Sequence, residues 1–455
     1  MIEVHNQRNL FRKKRSGSNP YRVLILLVLL IIGLYLLIGY RRGDVQELSL
    51  ETPQPTRIAG SYALEGEVQF TAGNLQGAVD AYIKAMELDP GNAELRAELA
   101  RIQTYSSNLL TTDGERKIRL EEARVNIDRA TELDPDNTYV QAIRAFVYDW
   151  NADPTISGED YLSFLTQAEQ AAIRALQLDS QNALALAYYA EILVDQQKWL
   201  QAEQNIDQAL ARDATLMDIH RIAGYVQESL SNYEGAIEEY KKAANINPNF
   251  TPLYILIGTN YRTLGLRSAN TVRANEMYNL ALEYYAKAVV INKQIGVNDP
   301  IPYIAISKTY TQMGEFFAAA LNVRTALEML PEKPDMYGQL GIVYFKSRNY
   351  EGAIPAFQCA VTGCDADTSC EVRRCNSETD PPLVIEGLEL TDNSLIYYYT
   401  YGSVLAGMHR PGLDYCQEAV MVLAEVRAKY GDDQEVMAII GPSEEICASF
   451  GYPAP

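Results

Sequence analysis

Residues that carry chemistry are scarce in this chain. Histidine occurs three times in 455 residues, as His5, His220 and His409, and the first 358 residues contain no cysteine. No glycine-rich phosphate loop follows a strand pattern, and neither an HExxH pair nor a serine elbow occurs. His5 lies in the N-terminal tail without a specific role. His409 sits in a Met408-His409-Arg410-Pro411-Gly412 turn and reads as a helix-end residue. The expectation is a non-catalytic protein with no catalytic residue, no cofactor and no metal. Basic charge is also lacking, because 39 Lys and Arg face 59 Asp and Glu, a formal net of −20. Eight of those cations fall in residues 1–43 against Glu3 alone, so the remainder carries 31 basic and 58 acidic residues, a net of −27. A body that acidic repels polyanions, which removes the usual electrostatic route to nucleic acid.

Charge is missing altogether from Val23 to Ile38, VLILLVLLIIGLYLLI. With Tyr21 and Tyr40 at its edges this run reaches the ~30 Å needed to cross a bilayer as a helix, and the tyrosines fit an interfacial aromatic belt. Six basic residues precede it (Arg8, Arg12, Lys13, Lys14, Arg15, Arg22), whereas Arg41 and Arg42 soon give way to Asp44, Glu47 and Glu51. That bias predicts a basic cytoplasmic tail over 1–21, a single transmembrane helix over 22–40, and everything beyond it outside the cytoplasm. A cleavable signal peptide is the competing reading. The run is long for one, and Gly39-Tyr40-Arg41-Arg42 offers no small-x-small cleavage site. Residues 41–57, with Pro53 and Pro55, have no helical period and read as a stiff spacer.

From residue 58 the apolar pattern is helical and recurs. In its clearest copy, Tyr337, Leu340, Gly341 and Tyr344 share one helix face, and Ala353, Phe357 and Ala360 form a second. Equivalent alanines fall at Ala78, Ala123, Ala168, Ala202, Ala236, Ala281, Ala319 and Ala353, separated by 45, 45, 34, 34, 45, 38 and 34 residues. A helix pair of this kind cannot cover its own apolar surface, so it must stack on copies of itself. The aromatic, Leu-Gly, Tyr, Ala, aromatic, Ala, Pro order on a 34-residue base resembles the tetratricopeptide repeat. That resemblance implies an all-α, right-handed α-solenoid of eight to nine antiparallel helix pairs over 58–365 and beyond. His220 occupies the aromatic position of the fifth pair and reads as a packed core residue.

Three separations exceed the period by the same 11 residues, near 104–115, 151–161 and 265–275. Eleven residues are close to three helical turns, so both helices of a pair could lengthen in register. The second, third and sixth pairs would then project from one edge as a second docking surface. Tolerated surface loops are the plainer reading, given Thr111-Thr112-Asp113-Gly114 and Ser157-Gly158-Glu159-Asp160 at the tips.

All six cysteines come late: Cys359, Cys364, Cys370, Cys375, Cys416 and Cys447. An even number beyond a membrane span fits an oxidising compartment and three disulfides. Zinc is the rival, but C-x4-C-x5-C-x4-C lacks the short C-x2-C arms of common zinc motifs. Cys416 and Cys447 lie on successive expected helices and are the preferred pair. The other four would close a polar, Pro-containing loop over 366–390. A degenerate ninth unit and a capping helix follow over 391–455.

In the resembled family the first helices of the pairs line a concave groove for peptides or partner helices. Carried over by pattern position, that lining is Glu67, Tyr188, Glu191, Asp195, Tyr225, Glu228, Arg262, Lys308, Phe345 and Tyr399. It is acidic toward the middle, and it lacks a paired Lys and Arg set for clamping a terminal carboxylate. The function expected is a membrane-anchored scaffold in a bacterial cell envelope that binds a protein or peptide partner and no nucleic acid. The alternatives are a carbohydrate-handling or enzyme-associated component, with tyrosines stacking on sugars, and a self-associating surface protein. Protein binding through an acidic groove would be salt-sensitive, sugar stacking would not, and self-association would give oligomers without a partner.

Overall fold

A computed structural model describes residues 19–42, 57–376 and 379–453. Most of the expected tail and spacer (1–18 and 43–56) lies outside them. Two units separate at Arg57. In the first, helix α1 (Pro20–Arg42) is apolar, with a mean hydropathy of 2.8 over Pro20–Gly39.

The second unit is a stack of antiparallel helix pairs, and no strand occurs among the described residues. The pairs are α2 (Ala59–Thr71) with α3 (Leu75–Leu88), and α4 (Ala93–Ser106) with α5 (Asp113–Leu133). Next, α6 (Thr138–Asn151) pairs with α8 (Tyr161–Leu178), with a short α7 (Pro154–Ser157) between them. Then come α9 (Ala183–Asp195) with α10 (Trp199–Arg212), α11 (Met217–Ser229) with α12 (Tyr233–Ile246), and α13 (Thr251–Arg267) with α14 (Thr271–Ile295). The seventh and eighth pairs are α15 (Ile301–Met313) with α16 (Phe316–Met329), and α17 (Pro334–Lys346) with α18 (Tyr350–Val361). The chain ends with α19 (Ala366–Arg373), α20 (Leu395–Met408), α21 (Cys416–Tyr430) and α22 (Gln434–Ser449).

Each pair is built by the same local chemistry. Asn92, Asn137 and Asn182 cap first helices, their side chains accepting from backbone N–H groups of the first turn. Asn74, Asn232 and Asn349 cap second helices in the same way. At α13 the position is taken by Phe250, which makes no side-chain cap, although Asn249 precedes it. The residue before each second-helix cap is left-handed: Gly73 (φ 85°), Ser231 (φ 62°) and Arg348 (φ 59°). A single left-handed residue ends one helix and turns the chain into the next. The pairs then close through missing side chains. A Cβ on Gly224 would sit 2.5 Å from the Tyr240 ring, and one on Gly341 would sit 2.7 Å from Phe357. The eight spacing alanines are all fully buried.

The extra 11 residues are used differently in each long pair. The sixth pair lengthens both helices, to 17 and 25 residues. The second lengthens only α5, to 21. The third inserts α7 and a single 3-10 turn at Gly158–Asp160. The tip of the second pair is engaged rather than free. Asp113 accepts from Thr391 Oγ1 at 2.7 Å and Asn393 Nδ2 at 2.8 Å, and Glu115 pairs with Lys333. Arg116 lies 3.7 Å from Asp153 at the start of α7, so the second and third tips adjoin.

The interior is divided. One buried cluster runs from Phe70 to Ile257, another from Ile304 to Cys447, and Ala281, Tyr285, Ala305 and Ile306 form a small third. The first closes across the turn of the solenoid: the Phe70 and Phe250 rings are 5.7 Å apart, and Tyr105 and Phe250 5.3 Å.

Sulfur chemistry is local at the end of the array. The structure joins Cys359 to Cys364, Cys370 to Cys375 and Cys416 to Cys447. The first two bridges each span five residues, so neither closes the whole 366–390 loop. That loop is also not irregular throughout, because Asp365 caps helix α19. By loop closure the short bridges are worth about 2 kcal/mol each and Cys416–Cys447 about 3–4 kcal/mol.

Gly224→Ala should cost about 1–3 kcal/mol through overpacking against Tyr240, whereas Gly91→Ala, with open space at its Cβ, should not. Urea unfolding of both variants checks this, and equal midpoints would refute the packing argument.

Candidate functional site

The inner helices place their polar residues at helical spacing on the face turned toward the closed side of the solenoid. Arg101 and Tyr105 come from α4, Asp149 and Trp150 from α6. Helix α9 supplies Tyr188, Glu191 and Asp195, and α11 supplies Asp218, Arg221 and Tyr225. Arg221 forms a two-pronged pair with Glu191, at 2.8 and 2.6 Å, with both side chains buried. Its Nε donates to Tyr105 Oη at 3.2 Å, and its guanidinium lies 5.7 Å from the Trp150 ring. Trp150 Nε1 donates to Glu191 at 3.2 Å. Asp218 receives Arg101 at 3.2 Å, Tyr188 Oη at 2.7 Å, and Tyr105 Oη. Burial alone would raise the Asp218 carboxyl, but Arg101, Tyr105, Arg221 and Tyr188 outweigh it and hold it below its ordinary range. Buried charges are tolerated here because each has a partner of matching geometry.

Two carboxylates are not matched in this way. Asp149 is buried, and its Oδ1 has no hydrogen-bond partner. Burial, reinforced by Asp195 and Glu191 and only partly opposed by Arg221, pushes its carboxyl well above the ordinary range. Asp195, at the end of α9, is exposed at its tip and lines the same space as Asp149. Burial lifts it to about 6 against the opposing hydrogen bond from Tyr225, whose Oη donates to it at 2.6 Å.

Of these residues Tyr105, Asp149, Trp150, Glu191, Asp195, Arg221 and Tyr225 line a cavity of about 630 Å³, with Arg101, Tyr188 and Asp218 supporting its wall from behind. Its charge does not balance. Asp149, Asp153, Glu191 and Asp195 face only Arg116 and Arg221, so two carboxylates are in excess. Both cations are already engaged, Arg116 with Asp153 and Arg221 with Glu191. Half-buried Trp150, Tyr161 and Tyr225 provide aromatic wall.

Of the ten expected groove residues, Tyr188, Glu191, Asp195 and Tyr225 come together here. Tyr188 and Glu191 are buried in the wall, while Asp195 and Tyr225 stand at the mouth. Glu228 accepts from Tyr240 and Asn260, each at 3.0 Å. Glu67 is exposed on α2 and does not line the cavity. Arg262 and Lys308 lie on α13 and α15; burial lowers the Lys308 ammonium, with Asp335 opposing and Arg262 reinforcing. Phe345 packs 6.1 Å from Tyr350, and Tyr399 packs on the second core. His220 is buried, with Nδ1 2.7 Å from Glu239 and Nε2 3.0 Å from the Ala214 carbonyl. His409 Nδ1 accepts from the Cys416 N–H at 3.2 Å, and His5 lies outside the described residues. Pattern positions missed Asp149, Trp150 and Arg221. The available signal was one carboxylate inside the otherwise apolar run Ala145–Trp150.

A family model described as tetratricopeptide repeat matches residues 190–249 and 305–368. The type IV pilus assembly protein PilF of Pseudomonas aeruginosa is 26% identical over 132 residues, 28% of this chain and 48% of that protein. The small glutamine-rich tetratricopeptide repeat-containing protein 2 of Mycosarcoma maydis is 28% identical over 103 residues, 23% of this chain and 27% of that protein. The matches thus span half or less of these curated relatives. The solved structure of the human IFIT1 dimer with PPP-AAAA aligns over 88% of this chain and 92% of its own, with a TM-score of 0.53 and 16% identity, a likeness of fold.

Arg221→Met should destabilise by about 3–5 kcal/mol by stranding Glu191, and adding Glu191→Leu should recover most of that loss. Asp149 and Asp195 have folded values above their unfolded ones, so the native state holds more protons and their penalty grows as pH rises above the ordinary carboxylate range, for Asp195 up to about 6. Acidification from pH 7 to 5 should therefore raise the thermal midpoint of the wild type more than that of Asp149→Asn/Asp195→Asn. An equal response in both proteins would refute it.

Proposed function

The chain is a tetratricopeptide-repeat protein, and on that premise we propose that it is a membrane-anchored envelope scaffold whose inner cavity takes an extended segment of a protein partner. Tetratricopeptide repeats make protein-interaction scaffolds and are typically non-catalytic. The finer reading is carried by one observation: the inner helices enclose a solvent-connected cavity whose polar groups are not all satisfied by the protein itself. An unmatched buried carboxylate costs stability, and a binding partner can offset that cost.

The placement rests on several supports. Helix α1 is long and apolar enough to span a bilayer, and six basic residues precede its apolar run. Three disulfides suit an oxidising compartment. Similarity to a bacterial pilus assembly protein is in keeping with a role in building or holding an envelope structure.

Two experiments test this reading. A membrane-impermeant maleimide should label intact cells only after reduction, reporting on the half-buried Cys370–Cys375 bridge. Labelling that requires lysis and no reductant would overturn the topology. A photo-crosslinking residue in place of Tyr225 should give a protein adduct of defined mass, and one in place of Glu67 should not. Absence of adducts from both positions would overturn partner binding through the cavity.

A further inference from the structure

Resting on that reading, we propose that the cavity captures a cationic side chain of the partner, a guanidinium in preference to an ammonium, between Asp149 in its wall and Asp195 at its mouth.

The sign of the ligand follows from the charges. Four carboxylates and two guanidiniums line the cavity, and the guanidiniums are spent on Asp153 and Glu191. An anion entering would find no cation left to pair with it, and would meet two carboxyl groups without a counter-charge of their own. A neutral donor would fill Asp149 Oδ1 without adding charge, whereas a cation supplies both donor and charge. Asp149 is 4% exposed, is one of the residues lining the space, and carries the vacant acceptor. A metal ion is a poorer occupant, since among the described residues no three His, Cys, Asp or Glu groups converge closely enough to hold one.

The preference for guanidinium follows from the walls. Trp150, Tyr161 and Tyr225 flank the carboxylates, and a planar, weakly hydrated cation can stack on a ring while donating in its own plane. The protein already satisfies this arrangement once, with Arg221 against Glu191 and over the Tyr105, Phe146 and Trp150 rings. An incoming arginine would occupy a second place of the same kind.

The groups facing the ligand are Arg116 from α5, Asp149 and Trp150 from α6, Asp153 and Tyr161 from the third hairpin, Glu191 and Asp195 from α9, and Arg221 and Tyr225 from α11. Capture should draw protons off Asp149 and Asp195, so affinity falls on acidification from pH 7 to 5.

The test uses the full chain in detergent micelles and fluorescent peptides of one neutral scaffold carrying arginine, lysine, citrulline or glutamate. Arginine should bind tighter than lysine, and citrulline and glutamate should bind weakly. Asp149→Asn and Asp195→Asn should each weaken arginine-peptide binding by roughly thirtyfold or more. Asp149→Asn should at the same time keep or raise the thermal midpoint, which separates lost capture from lost folding. Citrulline or glutamate peptides binding as well as arginine would overturn the cation inference and leave the peptide-binding reading standing. Binding of free arginine amide or putrescine without peptide binding would assign the cavity to a small amine and overturn capture from a partner. Binding by none of these probes would overturn the inference, with the Tyr225 crosslink deciding the broader reading separately.

Discussion

Two arginines buried against carboxylates hold the inner face of this solenoid together. In an ordinary stack each repeat touches only its neighbours, and stability adds up along one dimension. Here Arg101 on α4 reaches Asp218 on α11, 117 residues away, and Arg221 returns from α11 to Tyr105 on α4. Tyr188 and Glu191 on α9 complete the ring of partners. Such a network is intolerant of partial loss, because removing one member leaves another buried and unpaired. It therefore fixes how tightly the turn winds, and with it the size and walls of the cavity.

Much of the architecture was legible in the order of small and aromatic residues. The eight spacing alanines all reach zero exposure because each lies where two helices cross too closely for anything larger. Gly224 and Gly341 announce themselves for the same reason. His220, read as a packed core residue, is buried, and His409, read as a helix-end residue, stands at the end of α20. What the pattern could not convey is curvature. A repeat motif reports contacts between adjacent helices, whereas the meeting of Phe70 with Phe250 depends on small rotations summed over several repeats. Tyr188 was therefore expected to face an open groove, yet it is buried with its hydroxyl on Asp218. Asp149 was passed over because its position carries no family signature, although a lone carboxylate in an apolar stretch is costly enough to ask what it meets.

The cysteines show a related limit. Spacing identified Cys416 and Cys447 as candidates on neighbouring helices. It gave no reason to expect Asp365 to cap a helix inside the loop, and that helix is what brings Cys370 and Cys375 within reach of each other. Local capping decided the pairing, and the loop's length did not.

The contacts from the second hairpin's tip have a mechanical meaning. A stacked solenoid is a spring, extensible because each repeat rotates slightly on the next. Asp113 and Glu115 tie one turn of that spring to Thr391, Asn393 and Lys333, more than 200 residues further along. Tension applied between the two ends would first load these half-exposed hydrogen bonds and one ion pair, and only afterwards the repeat interfaces. The array is then stiff under small forces and compliant once the clasp yields, with ionic strength setting the threshold through the Glu115–Lys333 pair.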